Sequence, residues 1–295
     1  MKLKMYLALA LLFCHFSMLQ AQDDLRWLNP LQNPDENFVH GQGWPGLDYH
    51  RLPDEAETKV RKAVWNLSRH AAGVKLKFNS DAEEIKVRYV VSSRQSMPHM
   101  PATGVSGLDL YIHDQYDWIW VRGSYSFGDT IQYTFPLKAD KITAKDFDLY
   151  LPLYNEVTFL EIGVDKNASF NFISPSNEEL PVVVYGTSIA QGACASRPGM
   201  AWTAILERMI NKPMINLGFS GNGLLETPLI EYMASVNSSL YVLDCLPNLV
   251  RNTFTEEEVI KRIIAAVHAL KAKKPETPIL MVEHAGYTDE WVNDE

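Results

Sequence analysis

A chain of 295 residues with 46% hydrophobic side chains is long enough to bury a sizeable core, and its length suits two domains. The formal charge of −9 disfavours nucleic acid and anionic membrane surfaces as partners. The three cysteines are too few for a disulfide scaffold and lack metal-ligand spacing, and no sequence feature requires a metal or an organic cofactor.

The start, Met1–Ala21, reads as a secretory signal peptide. Lys2 and Lys4 form a basic n-region, an apolar run opens at Met5 and reaches Leu19, and Ala21 offers the small residue before a cut at Gln22. The run is short and contains His15 and Ser17, which argues against a membrane anchor. The expectation is a secreted or periplasmic protein with no membrane span after signal cleavage. Cleavage removes Cys14 and two lysines, leaving Cys194 and Cys245 in a more acidic chain.

An N-terminal domain is expected over 22–178. Pro30, Pro34, Pro45 and Pro53 interrupt its first part, where Trp44 reads as a plug between loops rather than a sugar platform. Glu55 to His70 has a modest stripe of Val60, Val64 and Leu67 and predicts a short helix. Between Gly73 and Asp165 the pattern changes to short β-rich runs. They are Val74–Phe78, Ile85–Val91, Leu108–His113, Trp118–Arg122, Thr130–Phe135, Phe147–Leu151 and Thr158–Val164. Turn residues separate them at regular intervals, which predicts a β-sandwich of jelly-roll type. The dense aromatics Tyr111, Trp118, Trp120, Tyr125, Phe127 and Tyr133 are read as core, since strands favour aromatics for packing.

A polar stretch from Asn171 to Leu180 marks the boundary, and a second domain is placed at 179–295. Val182–Tyr185 is an uninterrupted apolar run, the mark of a strand buried on both faces, and it breaks at Gly186-Thr187-Ser188. A helical stripe runs from Met200 to Ile210, followed by strand Met214–Leu217 and the loop Gly218–Gly223. A short helix over Leu229–Met233 precedes strand Leu240–Leu243, which ends at Asp244–Asn248. Thr255 and Glu258 make a capping box for the next helix, and Ile279–Val282 is a further strand. This alternation predicts a parallel, doubly wound sheet.

Three loops thus fall at the carboxyl ends of parallel strands, where open α/β sheets place their ligands. Ser188 follows a glycine turn that would expose its hydroxyl; spacing alone leaves open whether it is a nucleophile or ordinary turn punctuation. Its own N–H, that of Gly218 and the Asn248 amide could converge on a developing oxyanion.

This ordered trio resembles the SGNH (GDSL-like) hydrolase family. Gly186-Thr187-Ser188 is similar to its first motif, with Thr187 where aspartate is usual. Asn216-Leu217-Gly218 is similar to the second, and Asp244-Cys245-Leu246-Pro247-Asn248 stands where the family has G-x-N-D. Gly107-Leu108-Asp109-Leu110-Tyr111 is similar to the Gly-x-Asp-Leu-Tyr mark of a secreted subfamily with an amino-terminal β-domain. The resemblance implies a flavodoxin-like three-layer α/β/α hydrolase domain and no cofactor. It implies hydrolysis of small acyl esters, with an O-acetylated carbohydrate as the expected substrate. Ser188 would be the nucleophile, with Gly218 and Asn248 in the oxyanion hole and Thr187 and His284 as pocket candidates.

The family's general base is a histidine in a D-x-x-H motif near the end of the domain, and none follows Asn248. His268 lies in a predicted helix and His284 follows the last strand. The expectation is therefore a truncated chain whose catalytic Asp and His lie beyond Glu295, inactive in this form. Cys194 and Cys245 fall on two of the site loops, so a disulfide between them is a further expectation. Two other functions stay open: a non-catalytic glycan-binding protein on a degenerate hydrolase scaffold, and a lipid-directed acylhydrolase.

Overall fold

The computed structural model describes residues 25–114, 117–138, 144–176, 178–250, 254–284, 286 and 292. The expected signal peptide lies outside the described residues.

Alternating apolar and polar residues sort the first half of the chain into antiparallel strands. They are β1 (Leu25–Leu28), β2 (Val39–His40), β3 (Lys75–Ser80), β4 (Glu84–Val91), β5 (Asp109–Asp114), β6 (Asp117–Val121), β7 (Ser124–Ser126), β8 (Ile131–Pro136), β9 (Lys145–Tyr150), β10 (Val157–Asp165) and β11 (Phe170–Phe172). One sheet runs β1-β10-β4-β8-β7; the other runs β11-β3-β9-β5-β6, with β2 paired to β3. Ile85, Val87 and Tyr89 of β4 and Leu160 and Ile162 of β10 share one core with Leu76, Phe78, Phe147 and Leu149 of the other sheet. Two of the aromatics expected in the core are instead exposed, Trp120 at 42% and Tyr125 at 54%, whereas Tyr111 and Tyr133 are buried.

The predicted helix over Glu55–His70 is split into a 3-10 turn, Asp54–Thr58, and α1, Lys62–Ser68. Both pack away from the antiparallel core, through Ala56, Val64 and Trp65. A short helix α2 (Ala102–Val105) precedes β5. Trp44 is a plug as expected, donating its indole N–H to Ser235 Oγ at 3.1 Å and meeting Tyr232 edge-on.

The second half builds a parallel sheet from β12 (Val182–Gly186), β13 (Met214–Gly218), β14 (Leu240–Asp244) and β15 (Ile279–Met281), in the order β13-β12-β14-β15. Its helices are α3 (Ser188–Gln191), α4 (Trp202–Ile210), α5 (Thr227–Ser235), α6 (Leu246–Leu249) and α7 (Glu256–Lys273). Val183 and Tyr185 point to one face, where Leu229, Ile230 and Met233 of α5, Ala266 and Leu270 of α7, and Leu52, Val64 and Trp65 cover them. Val182 and Val184 point to the other, against Trp202 and Leu206 of α4. Both faces are therefore apolar, as parallel strands require. Among the described residues no helix is long and apolar enough to cross a membrane.

The Gly107–Tyr111 motif lies where the two halves meet. Asp109 is buried; its Oδ1 accepts from Trp120 Nε1 at 2.6 Å, and its Oδ2 accepts from Gly199 N and faces Arg197 Nε, each at 3.0 Å. Burial raises its carboxyl to about 6 against the pull of Arg197. Tyr111 packs under the Arg208 guanidinium, 4.0 Å from the ring centroid. Nearby, Lys75 bridges Asp148 (2.6 Å) and Glu207 (2.8 Å), the latter from α4. Buried charges of this kind persist only when paired, so each half completes the polar seam of the other.

Candidate active site

Parallel pairing sets the frame: Gly186 is in register with Gly218 on one side and with Asp244 on the other. The loops that leave these three residues therefore start side by side at the carboxyl edge of the sheet.

Ser188 opens α3 and is half-buried. Thr187 caps that helix, its Oγ1 accepting the Ile189 N–H at 3.2 Å, and it is fully buried. Thr187 is thus a cap and not the pocket wall expected for it. The Ser188 carbonyl accepts from Gly192 N and Ala193 N, and from Tyr154 OH at 3.3 Å. No side chain among the described residues hydrogen-bonds Ser188 Oγ.

The loop after β13 has nearly all of its amides engaged. Gly218 N donates to Asn216 Oδ1 (2.8 Å), Phe219 N to Gly186 O (2.9 Å), and Ser220 N to Gln191 Oε1 (2.9 Å). Asn222 N donates to Phe219 O (2.8 Å), Gly223 N to Asn248 Oδ1 (3.2 Å), and Leu224 N to Tyr185 OH (3.2 Å). Among the described residues, Gly221 N is the one amide of the 218–224 stretch without a protein acceptor. This corrects the sequence assignment of the backbone donor to Gly218. That N–H is taken by the side chain of Asn216, which folds back from the same strand. Gly221 sits at the loop tip with φ 68°, and nothing lies within 4 Å of where a Cβ would be. The signal available in the sequence was the glycine flanked by Ser220 and Asn222, a pattern suited to a left-handed turn residue.

Asn248 belongs to α6 and is 4% exposed. Because its Oδ1 is taken by Gly223 N, its Nδ2 is left as a donor. Donors without a protein acceptor among the described residues, on loops that start beside the one carrying Ser188, are what a developing oxyanion needs.

His284 follows β15, held at the sheet edge by Val282 N donating to Leu243 O at 3.0 Å. Its Nδ1 accepts the Gly286 N–H at 2.8 Å, so in the neutral ring the proton sits on Nε2. In that tautomer His284 offers a donor rather than a base. Burial raises the carboxyl of Asp244, at the end of β14, to about 6. His268 is exposed on α7.

The expected Cys194–Cys245 disulfide is not formed; both thiols are free. Cys245 points into the core with its Sγ 3.6 Å from Tyr185 O, and burial pushes its thiol well up. Cys194 is exposed on the loop after α3, in a left-handed backbone conformation. No cluster of His, Cys, Asp or Glu that could hold a metal occurs among the described residues.

Comparison with known proteins follows the same division. Residues 25–170 match the family described as GxDLY, the N-terminus of SGNH hydrolase-type esterases, and residues 179–295 match the GDSL-like lipase/acylhydrolase family. A solved GDSL-like lipase from Bacteroides ovatus is 31% identical, with a TM-score of 0.77 over 88% of this chain and 74% of that one. The chain belongs to the GDSL-like lipase/acylhydrolase family. Two more distant structures share the fold. One is a salicylyl acyltransferase from a tetracycline biosynthetic pathway (18% identity, TM-score 0.61, 88% of this chain and 70% of that one). The other is a family two carbohydrate esterase from Cellvibrio japonicus (11%, 0.53, 90% and 80%). No curated protein matches. Membership of this family places the chain among esterases and acylhydrolases and gives the constellation of Ser188, Gly221 and Asn248 its chemical context.

Proposed function

We propose that this GDSL-like protein is a secreted serine esterase that hydrolyses small acyl esters, O-acetyl groups on carbohydrate in particular. Ser188 Oγ attacks the ester carbonyl, its proton passes to a base, and the oxyanion is met by the N–H groups of Ser188 and Gly221 and by Asn248 Nδ2. The observation that carries this reading is the single open amide of the 218–224 loop, at Gly221, beside an Asn248 whose amide orientation is set by Gly223. The layout read from the sequence goes with it: a signal at 1–21, a jelly-roll-like β-sandwich at 22–178 and a flavodoxin-like three-layer hydrolase unit at 179–295.

The carbohydrate direction is supported by a 310 Å³ pocket lined by the exposed rings of Trp120 and Tyr125. Ser196 and Arg197, on the loop that follows α3, form another of its walls. Flat amphipathic rings beside fixed polar groups suit a sugar face. A lipid-directed reading has its own observation, an apolar groove of 350 Å³ lined by Ile189, Trp202, Leu206, Val242 and Leu280, of which Ile189 follows Ser188 in the chain.

The test is hydrolysis of p-nitrophenyl acetate by residues 22–295 beside the Ser188→Ala variant, each with and without added imidazole as an external base. Turnover present in the first and lost in the variant supports the esterase; equal rates in both reject Ser188 as nucleophile. Chain-length preference from acetyl to octanoyl esters separates the carbohydrate and lipid readings.

A further inference from the structure

The amino-terminal half of the chain grips the loop that carries Gly221. Arg51 is 1% exposed and has no carboxylate partner among the described residues. All of its hydrogen bonds go to backbone carbonyls. Nε donates to His70 O at 2.8 Å and Nη2 to Leu67 O at 2.6 Å. Nη1 donates to Gly218 O at 2.6 Å and Asn216 O at 3.2 Å. The guanidinium also lies 4.8 Å from the centroid of the Phe219 ring. One planar fork thus ties the Leu67–His70 segment to β13 and to the first residue beyond it.

Gln191 makes the matching tie from the serine side. It is fully buried, the last residue of α3, three positions after Ser188. Its Oε1 accepts Ser220 N, while its Nε2 donates to Leu153 O at 3.1 Å and contacts His70 Nδ1 at 3.3 Å. Burying a cation without a counter-ion is costly, and burial lowers the Arg51 guanidinium only to about 9, so the charge remains at neutral pH. A methionine or leucine would fill that space without the cost. What the arginine adds is direction: it fixes two carbonyls and a ring on the strand that leads into the oxyanion loop.

We propose that Arg51 and Gln191 are positioning residues that hold the 216–220 segment so that the Gly221 amide stays aimed at the reacting carbonyl. Neither touches substrate; both act through the loop. In this fold the β-rich half is therefore a structural part of the active site, through Arg51, His70 and Leu153. The kinetic consequence rests on the esterase reading above, but the structural one does not.

The experiment uses Arg51→Lys, which keeps charge and loses the fork, and Gln191→Met, which keeps volume and loses both ends of the bridge. Hydrogen–deuterium exchange is followed on the peptide covering residues 217–224 and, as an internal reference, on β4 and β8. Expected is about a tenfold or greater rise in exchange confined to the loop, with the reference strands unchanged. With p-nitrophenyl acetate, kcat should fall by about 10- to 100-fold while KM stays within about twofold. Loop exchange equal to wild type in a folded variant overturns the proposal, as does a uniform rise across all peptides, which would mark Arg51 and Gln191 as general core residues. Should Arg51→Lys fail to fold, Gln191→Met carries the test alone. If the unaltered protein shows no turnover even with added imidazole, the esterase reading fails while the exchange result still decides this one.

Discussion

Gly223 donates its backbone N–H to Asn248 Oδ1 at 3.2 Å, and this bond determines which end of the Asn248 amide faces the site. With the oxygen occupied, the nitrogen is the group left over, buried and 4% exposed as a residue. A carboxamide held this way is a preorganised donor, because the cost of orienting it is met on folding rather than during reaction. Asn248→Asp keeps the acceptor for Gly223 but replaces the donor with an oxygen and adds negative charge where negative charge develops. Expected is a fall in kcat of about 10²- to 10³-fold with KM little changed. A rate within threefold of wild type would remove Asn248 from the oxyanion site.

Gly218 and Gly221 should respond in opposite ways to the same substitution. A Cβ on Gly218 would run into the backbone of Gln191 and Ala190, atoms that cannot swing aside, so Gly218→Ala should unfold or strongly lower Tm. A Cβ on Gly221 meets open space, and the penalty is its left-handed backbone, about 1–2 kcal/mol. Gly221→Ala should therefore fold and lose turnover through a shifted amide. Melting curves and kcat for both variants check this. Full activity in Gly221→Ala together with a normal fold would show that its N–H is not used.

How much of this was legible in the residues depended on whether the signal was local. The apolar run Val182–Tyr185 and the stripe Met200–Ile210 each name their own element, and β12 and α4 formed within a residue or two of the expected bounds. β1, β2, β7 and β11 are two to four residues long, too short for a period to show; β7 is fixed by its hairpin with β8, and the other three pair with strands far along the chain. The 54–68 segment looked like a short helix, but nothing in its stripe could say that it would cover the parallel sheet instead of the antiparallel core. Asn216-Leu217-Gly218 points to Gly218 as the backbone donor because that glycine closes the motif at the end of the strand. Only the fold shows that Asn216 turns back to take the first N–H. Arg51, isolated among loop residues, carried no signal at all.

The two thiols should differ sharply in reactivity. Cys194 is exposed and Cys245 is buried with its thiol pushed up, so the first is the accessible one in the folded protein. On residues 22–295, a thiol reagent such as Ellman's should titrate one group in native buffer and two in denaturant. Intact mass should not change on reduction. No titratable thiol in either buffer, with a two-hydrogen gain in mass on reduction, would mean that the cysteines are bonded after all.

His70 couples acid stability to the same region. It contacts Gln191 Nε2 through Nδ1, and its carbonyl is held by Arg51. Burial, followed by the nearby Arg51 charge, lowers its imidazole from 6.5 to about 4. A histidine kept neutral in the folded state contributes nothing to pH dependence above its unfolded pKa. Between about 6.5 and 4 the unfolded chain takes up a proton that the folded chain refuses, so stability falls as pH falls through that window, and levels off below it. His40 and His50 have lowered values for the same first reason, desolvation. Asp109 and Asp244, each raised to about 6, act in the opposite sense between about 3.8 and 6, so the wild-type curve sums opposing slopes. A difference measurement isolates His70. His70→Gln removes its titration, and its stability relative to wild type should improve by on the order of 1–2 kcal/mol between pH 7 and pH 4.5. Urea midpoints of both proteins at the two pH values give that number. A relative stability that is independent of pH, or that moves against the variant in acid, would show that His70 is not held neutral in the fold.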